Sequence, residues 1–98
     1  MGKAVILFKA VSEIEGEYYS LGMAHAQVIH LPRGEWIEGG PYGIHASRIK
    51  SHARKVVYYA RQRKVLPVPP NMIIVSVQGV VREYRGKFSV VCDKIYIN

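Results

Sequence analysis

The residues best suited to chemistry in this sequence are basic and aromatic side chains that alternate near its C-terminal end. Residues 82–88 contain Arg82, Tyr84, Arg85, Lys87 and Phe88. Lys and Arg neutralise phosphates, and flat aromatic rings provide surfaces on which unpaired bases stack. A surface for single-stranded nucleic acid needs both kinds of side chain. Because a hairpin tip with this composition is hard to explain as core, the segment predicts a nucleic-acid contact.

Two further groups extend this candidate surface. One precedes a predicted helix and includes Trp36 and Tyr42. The other follows one stripe of that helix from Lys50 to Arg61, at spacings of i+4, i+8 and i+11. The stripe has a structural explanation too, as a solvated face on which Tyr58 lies against neighbouring alkyl chains. The candidate nucleic-acid-binding residues are Trp36, Tyr42, Arg48, Lys50, Arg54, Tyr58, Arg82, Tyr84, Arg85, Lys87 and Phe88.

Catalysis by the histidines is not favoured by their spacing. His25 and His30 are five positions apart, and His45 and His52 are seven apart. Neither spacing matches a helical i, i+4 metal pair or a Cys/His finger, so no metal is expected. A small basic nuclease would need two acid–base groups at one phosphate. His30, His45 and Glu38 remain candidates for that alternative.

Cofactor chemistry has little support in the remaining motifs. Cys92 is the only cysteine, which excludes an internal disulfide and a multi-cysteine zinc site. Its apolar neighbours predict a buried side chain. The segment Gly39–Gly43 lacks the G-x-x-x-x-G-K-[ST] pattern of a phosphate-binding loop. We therefore expect no cofactor, and a flexible loop over residues 39–43.

The distribution of charge favours an anionic partner. The 98 residues carry a formal net charge of +7, and the sequence pI is about 9.8. Residues 39–98 hold eleven of the fourteen Lys and Arg but only Glu83 and Asp93 among the seven acidic residues. Clustered basic residues are typical of proteins that bind a phosphate backbone. No apolar run is long enough for a membrane helix, and no secretion signal is visible, so we expect a soluble, cytoplasmic protein.

The order of predicted elements suggests a small barrel in one domain. Predicted strands cover residues 3–11, 18–31, 35–37, 72–81 and 88–97, with turns at 12–17 and 83–87, a bend or break at Gly22 and a bulge or kink at Gly79. Apolar residues at helical spacing predict a helix that begins near Ser47, with Ser47 or Ser51 as N-cap, and ends before Pro67. Five strands with one helix between the third and fourth match the OB-fold, a mainly β Greek-key barrel. Without the weak third strand, an open α+β sandwich is the alternative.

The final third of the sequence resembles a known family. Residues 74–81 (IVSVQGVV) lead through Tyr84-Arg85-Gly86-Lys87 into residues 88–97 (FSVVCDKIYI). This pattern is similar to the last hairpin of bacterial single-stranded-DNA-binding proteins and of primosomal replication protein N, where a V-x-G strand, a glycine-containing loop and a strand ending in I-x-I follow one another. The resemblance implies an OB-fold and a role in replication or recombination.

Sequence and resemblance together predict a non-enzymatic, sequence-independent binder of single-stranded DNA or RNA. Lys and Arg would engage phosphates, while Trp36, Tyr42 and Tyr84 would stack on bases. Unpaired strand edges predict self-association, as a dimer or a tetramer. The alternatives left open are a protein–protein adaptor of a replication complex on the same barrel and the small basic nuclease.

Overall fold

The longest strand pairing of the described residues joins the first strand to the second-last strand. The computed structural model describes residues 3–20, 29–62 and 72–98, which form seven strands and one helix. These elements are β1 (Ala4–Ile14), β2 (Glu17–Tyr19), β3 (His30–Leu31), β4 (Trp36–Glu38), β5 (Ile44–Ser47), α1 (Lys50–Gln62), β6 (Met72–Arg85) and β7 (Ser89–Tyr96). The predicted bend at Gly22, the proline-rich segment 65–70 and the side chain of Arg61 lie outside the described residues.

The sheet is antiparallel throughout the described residues and closes in part into a ring. β1 pairs with β6 from Ala4↔Val80 to Ser12↔Met72, and β6 pairs with β7. The other edge of β7 carries β4 and β5, and β5 returns to β1 at the single pair Phe8↔Ser47. The architecture is therefore mainly β and barrel-like, with one helix.

The core lies inside this ring because the strands alternate between apolar inward and more polar outward side chains. Its fully buried members include Leu7, Val11, Val77, Val90, Cys92, Ile95 and Ile97. Burial of one such aliphatic side chain contributes roughly 1.5–3 kcal/mol. The I-x-I pattern at residues 95–97 thus marks inward positions, and Cys92 is buried as predicted.

The helix packs on the outside of β1, as its apolar spacing predicts. Ala53 is buried, and Val56 and Val57 pack around Ala10 of β1. The helix begins later than Ser47, which is not its N-cap. Ser47 Oγ instead shares a hydrogen bond of 2.7 Å with His52 Nδ1.

The predicted extended segment over residues 18–31, with a bend or break at Gly22, does not form one strand. Its ends form β2 and β3, which pair antiparallel with Tyr18 opposite Leu31, so the chain reverses between them. The Ser20 amide donates to the Ile29 carbonyl at 2.8 Å, and the Ile29 amide donates to Ser20 Oγ at 3.0 Å. A regular alternation of residue types cannot reveal such a reversal.

The other differences concern where strands end. β1 continues to Ile14 because the turn needs only Glu15 and Gly16, which both have positive φ, as a tight hairpin of right-handed twist requires. Likewise β6 continues to Arg85, and the turn is confined to residues 86–88. The register shifts of β6 follow Gly79 rather than including it. A Cβ at Gly79 would lie 2.8 Å from Leu7 Cδ1, so this glycine permits close packing.

The count of five strands is also too low. β5 was not expected, because its four residues follow directly after the glycine-rich segment and precede the helix. With β5 and the β2–β3 pair present, the helix lies between the fifth and sixth strands of the described chain. Strands this short carry too few residues for an alternating pattern to stand out.

Candidate nucleic-acid interface

Four of the predicted residues come together where β5 ends and the β6–β7 hairpin turns. We call Arg48, Tyr84, Lys87 and Phe88 the hairpin cluster. β5 pairs with β7 up to Ser47↔Ser89, which places the residue after β5 beside the residue before β7. The Arg48 amide accordingly donates to the Phe88 carbonyl at 2.7 Å. This backbone hydrogen bond holds Arg48 next to the hairpin turn, whatever conformations the side chains adopt.

The side chains of the hairpin cluster combine flat rings with cations. The guanidinium carbon of Arg48 lies 5.5 Å from the centre of the Tyr84 ring, and Lys87 Nζ lies 5.5 Å from that of Phe88. Tyr84 is 60% exposed, so it is not a core residue. Phe88 is partly buried, and its ring centre is 6.1 Å from that of His52. Tyr84 is therefore the member best placed to stack on a base.

The remaining basic candidates surround this cluster. Lys50 is exposed at the start of the helix, with Nζ 6.0 Å from the centre of the Phe8 ring. Arg85 Nε donates to Glu83 Oε1 at 3.0 Å in an exposed ion pair. Arg54 and Tyr58 are exposed further along the helix. They continue the stripe from Lys50 along the helix rather than into the hairpin cluster.

A cleft of about 280 Å³ separates the hairpin cluster from the N-terminal half of β1. It is lined by Val5, Ile6, Leu7, Arg48 and Tyr84. The cleft exists because β5 meets β1 only at Phe8, which leaves the edge of Ala4–Leu7 without a strand partner among the described residues. Ile6 is 62% exposed at this edge.

A second set of side chains runs across the outer face of the sheet. We call Ile6, Gln78, Tyr96 and Trp36 the transverse row, because they are register partners across β1, β6, β7 and β4. Directly opposed residues project on the same face. A cleft of about 220 Å³ lies between Ile6, Gln78 and Tyr96. Ile6 lines both clefts, so the row and the hairpin cluster adjoin.

Trp36 forms the end of the transverse row with a basic neighbour. It is 41% exposed, its ring centre lies 5.5 Å from that of Tyr96, and Lys94 Nζ lies 4.9 Å from its own ring centre. Gln78, Ile6, Lys94 and Tyr96 were missed from the sequence. The I-x-I pattern contains the signal for the last two, since inward side chains at 95 and 97 place 94 and 96 outward.

Arg82 and the loop that carries Tyr42 form a separate structural unit. The guanidinium of Arg82 donates from Nε to Asp93 Oδ1, from Nη1 to the Pro41 carbonyl at 3.0 Å and from Nη2 to the Gly40 carbonyl at 2.8 Å. The loop predicted to be flexible is thus tied to β6 and β7. Tyr42 projects from it and is 71% exposed.

Two of the described histidines bond to different side chains. His30 Nε2 lies 2.8 Å from Glu17 Oε2, while His52 bonds to Ser47. The pKa of His45 is lowered, chiefly by burial and then by the charges of Lys9 and Arg85. Among the residues that the structure describes, no three His, Cys, Asp or Glu side chains lie close enough together to hold a metal ion.

Lys9 is a cation on the core side of β1. It shares that side with Leu7 and Val11, and its Nζ donates to the His45 carbonyl at 2.7 Å. Burial lowers the pKa of Lys9 to about 8, and burial likewise raises the pKa of the nearby Cys92 thiol. The sequence gives no sign that this lysine differs from the others.

The chain matches no protein-family model, and neither the curated proteins nor the solved structures contain a significant match to it. Over residues 3–20, 29–62 and 72–98, no helix has the length and apolar character needed to cross a membrane.

Proposed function

We propose that this protein binds single-stranded nucleic acid, DNA or RNA, without sequence preference and without catalysis, and that it serves replication or recombination. The observation that carries the proposal is the exposed Tyr84 ring with Arg48 above it, beside a cleft that leads through Ile6 to the transverse row. Stacking on an aromatic ring contributes ~1–3 kcal/mol per base, and a neighbouring guanidinium adds a cation–π contribution.

The geometry suggests how a bound strand would run. From Ile6 to Trp36 the transverse row crosses three strand spacings, ~14 Å in all. A nucleic acid laid across the strands would stack on Tyr84 and on Trp36 at the two ends of this path. Arg48 lies over the Tyr84 ring and Lys94 over the Trp36 ring, and these two residues with Lys87, which lies over Phe88, would neutralise its phosphates. Binding of this kind releases counterions, so the affinity should fall steeply with salt.

We propose further that the barrel is an OB-fold, as the resemblance to bacterial single-stranded-DNA-binding proteins and primosomal replication protein N implies. With β2 and β5 taken as the second and third barrel strands, the chain order β1, β2, β5, α1, β6, β7 places the helix between the third and fourth strands. In this interpretation β3 and β4 are additions to the five-stranded barrel.

The proposal predicts that Tyr84 and Tyr58 differ, although both are 60% exposed. Tyr84→Leu should weaken binding of a labelled oligo-dT at least 5-fold, because a base loses its stacking surface. Tyr58 lies on the helix stripe, and if that stripe is a solvated face, Tyr58→Leu should change the affinity less than 2-fold. Fluorescence anisotropy titrations at two salt concentrations measure both variants, with oligo-rU and duplex DNA as comparison ligands.

Other results of this titration would contradict the proposal. Equal affinity for duplex and single strands would indicate a general basic surface instead of a stacking site. Equal losses in the two tyrosine variants would extend the contact to the helix stripe, and no loss in either would place the contact elsewhere. Shortening of the oligonucleotide during the titration would indicate the nuclease. No binding at low salt would refute nucleic-acid binding altogether.

A protein–protein adaptor is the second candidate, favoured by the exposed apolar edge of β1. Val5 and Ile6 lie within the stretch of β1 that has no strand partner on its outer edge in the described chain, and such edges pair readily with other strands. We also expect the chain to form a dimer or tetramer. Ile6→Lys should weaken self-association at least 10-fold in sedimentation equilibrium, whereas Ile14→Lys, at the far end of β1, should not. Equal behaviour of the two variants would exclude this edge.

A further inference from the structure

A β-bulge in β6 sets the direction of the Arg82 side chain. Val81 is opposite Cys92 and Glu83 is opposite Val91, so Arg82 has no partner on β7 and forms a bulge. A bulge re-aims the side chain that it carries. In this strand it directs a guanidinium toward the loop between β4 and β5.

The loop itself follows the edge of β7 that also holds Trp36. The Gly39 amide donates to the Asp93 carbonyl at 2.8 Å, and the Gly43 amide donates to the Gly39 carbonyl at 3.0 Å. Trp36 is opposite Tyr96, three residues further along β7 than Asp93, a distance of ~10 Å along the strand. The loop that carries Tyr42 therefore lies along the same edge of β7 as Trp36, the end of the transverse row.

The contacts of Arg82 leave it little freedom to serve a phosphate. Its three donating nitrogens meet a carboxylate and two carbonyl oxygens, and the carboxylate of Asp93 balances its charge. Only a planar guanidinium presents donors in a fork that reaches several acceptors at once. Through these contacts Arg82 holds a loop that lies about forty positions earlier in the sequence.

We infer that Arg82 is a positioning residue that holds the loop over residues 39–43 so that Tyr42 forms a pre-set stacking surface beside Trp36. This inference rests on the proposed function and deepens it, since it adds a base-stacking position and names the residue that organises it. A ring held in its binding position loses less freedom when the ligand arrives, which raises affinity without a direct contact.

The first test needs no nucleic acid. Arg82→Lys retains the charge but removes the planar fork, so hydrogen exchange of the Gly39 and Gly43 amides should accelerate at least 10-fold. The amide of Ile95 in β7 should be unaffected. Arg85→Gln, on the same strand but without a loop contact, should leave both glycine amides unchanged. Unchanged exchange in Arg82→Lys would overturn the inference.

The second test measures binding of oligo-dT. Arg82→Lys and Tyr42→Leu should each weaken binding at least 5-fold, and the double variant should be no weaker than Tyr42→Leu alone, because both changes remove one stacking surface. The salt dependence of Arg82→Lys should equal that of the original protein. Wild-type affinity in Arg82→Lys, or additive losses in the double variant, would overturn the inference. Absence of binding by the unaltered protein would refute the proposed function, and the exchange result would still decide whether Arg82 holds the loop.

Discussion

Replacement of Lys9 by Met is expected to raise the free energy of unfolding at pH 7 by about 1–3 kcal/mol. Burial lowers the pKa of Lys9 to about 8, so at pH 7 the folded protein keeps a charged amine on the core side of β1 at a cost. Its hydrogen bond to the His45 carbonyl offsets part of that cost. Met has a similar length, carries no charge and fills irregular spaces well.

The same substitution should alter the pH dependence of stability. The folded pKa of Lys9 lies below the ordinary value of 10.5, so between pH 8 and 10.5 the unfolded chain holds a proton that the folded chain has released. Stability due to Lys9 therefore rises with pH across this window and is constant below it. Cys92 acts in the opposite direction, because its raised pKa means that the unfolded thiol ionises first. The charge of Lys9 lowers the pKa of Cys92, so in Lys9→Met the pKa of this thiol rises further and its destabilising effect at high pH grows. Both changes reduce the advantage of the variant as the pH rises.

Urea denaturation at pH 7, 8, 9 and 10 measures both effects. The advantage of Lys9→Met should be largest at pH 7 and shrink toward pH 10. Lys55→Met removes an exposed lysine from the helix and should change stability little at any of these pH values. A variant less stable than the original at pH 7 would mean that the bond to His45 outweighs the cost of burial.

Replacement of Gly43 by Ala should lower the free energy of unfolding by about 2–4 kcal/mol. Gly43 has φ of +71°, a conformation that an L side chain adopts at a cost. A Cβ there would overlap Val91 Cγ1 and lie 3.0 Å from the Cys92 carbonyl oxygen. The cost of the backbone strain and the cost of the overlap add together. The main chain of β7 lies too close for the new methyl group to move away from Val91.

Gly40→Ala separates the two causes within one loop. Gly40 also has positive φ, at +61°, but a Cβ there would meet nothing within 4 Å. Gly40→Ala should lower the free energy of unfolding by only about 1–2 kcal/mol, because backbone strain is the only cost. Thermal or urea denaturation of the two variants measures the difference. Equal losses would show that the loop moves away from Val91 without cost.

The helix and the β6–β7 hairpin could be predicted from the sequence because their signals are local. Apolar residues at helical spacing lie within one segment, and the alternation that ends at Ile97 marks which side chains face inward. The β2–β3 pair and β5 could not be predicted in the same way. β5 depends on pairing with the distant strand β7, and the β2–β3 pair depends on a reversal of the chain between Ser20 and Ile29. Each of these strands has only two to four residues.

The candidate site also has one part that could be predicted from the sequence and one part that could not. The hairpin cluster is drawn mostly from neighbouring residues, so its basic and aromatic composition was visible in the sequence. The transverse row exists only through register, since Trp36 meets Tyr96 across two strands that are far apart in the chain. The hydrogen bonds between Arg82 and the loop could not be predicted from the sequence for a similar reason, because they depend on the bulge in β6. A bulge is a property of two paired strands.

The pairing of β1 with β6 also governs the order in which the protein can assemble. β1 precedes every other described element, yet it cannot pair along its length until β6 has been synthesised, since Ala4 pairs with Val80 and Ser12 pairs with Met72. A chain dominated by such distant pairs bears the entropy of closing a long loop before it gains contacts, and folds on the order of milliseconds to seconds. During synthesis, Ile6 and Leu7 therefore remain uncovered until most of the chain has left the ribosome, and this interval is when aggregation competes with folding.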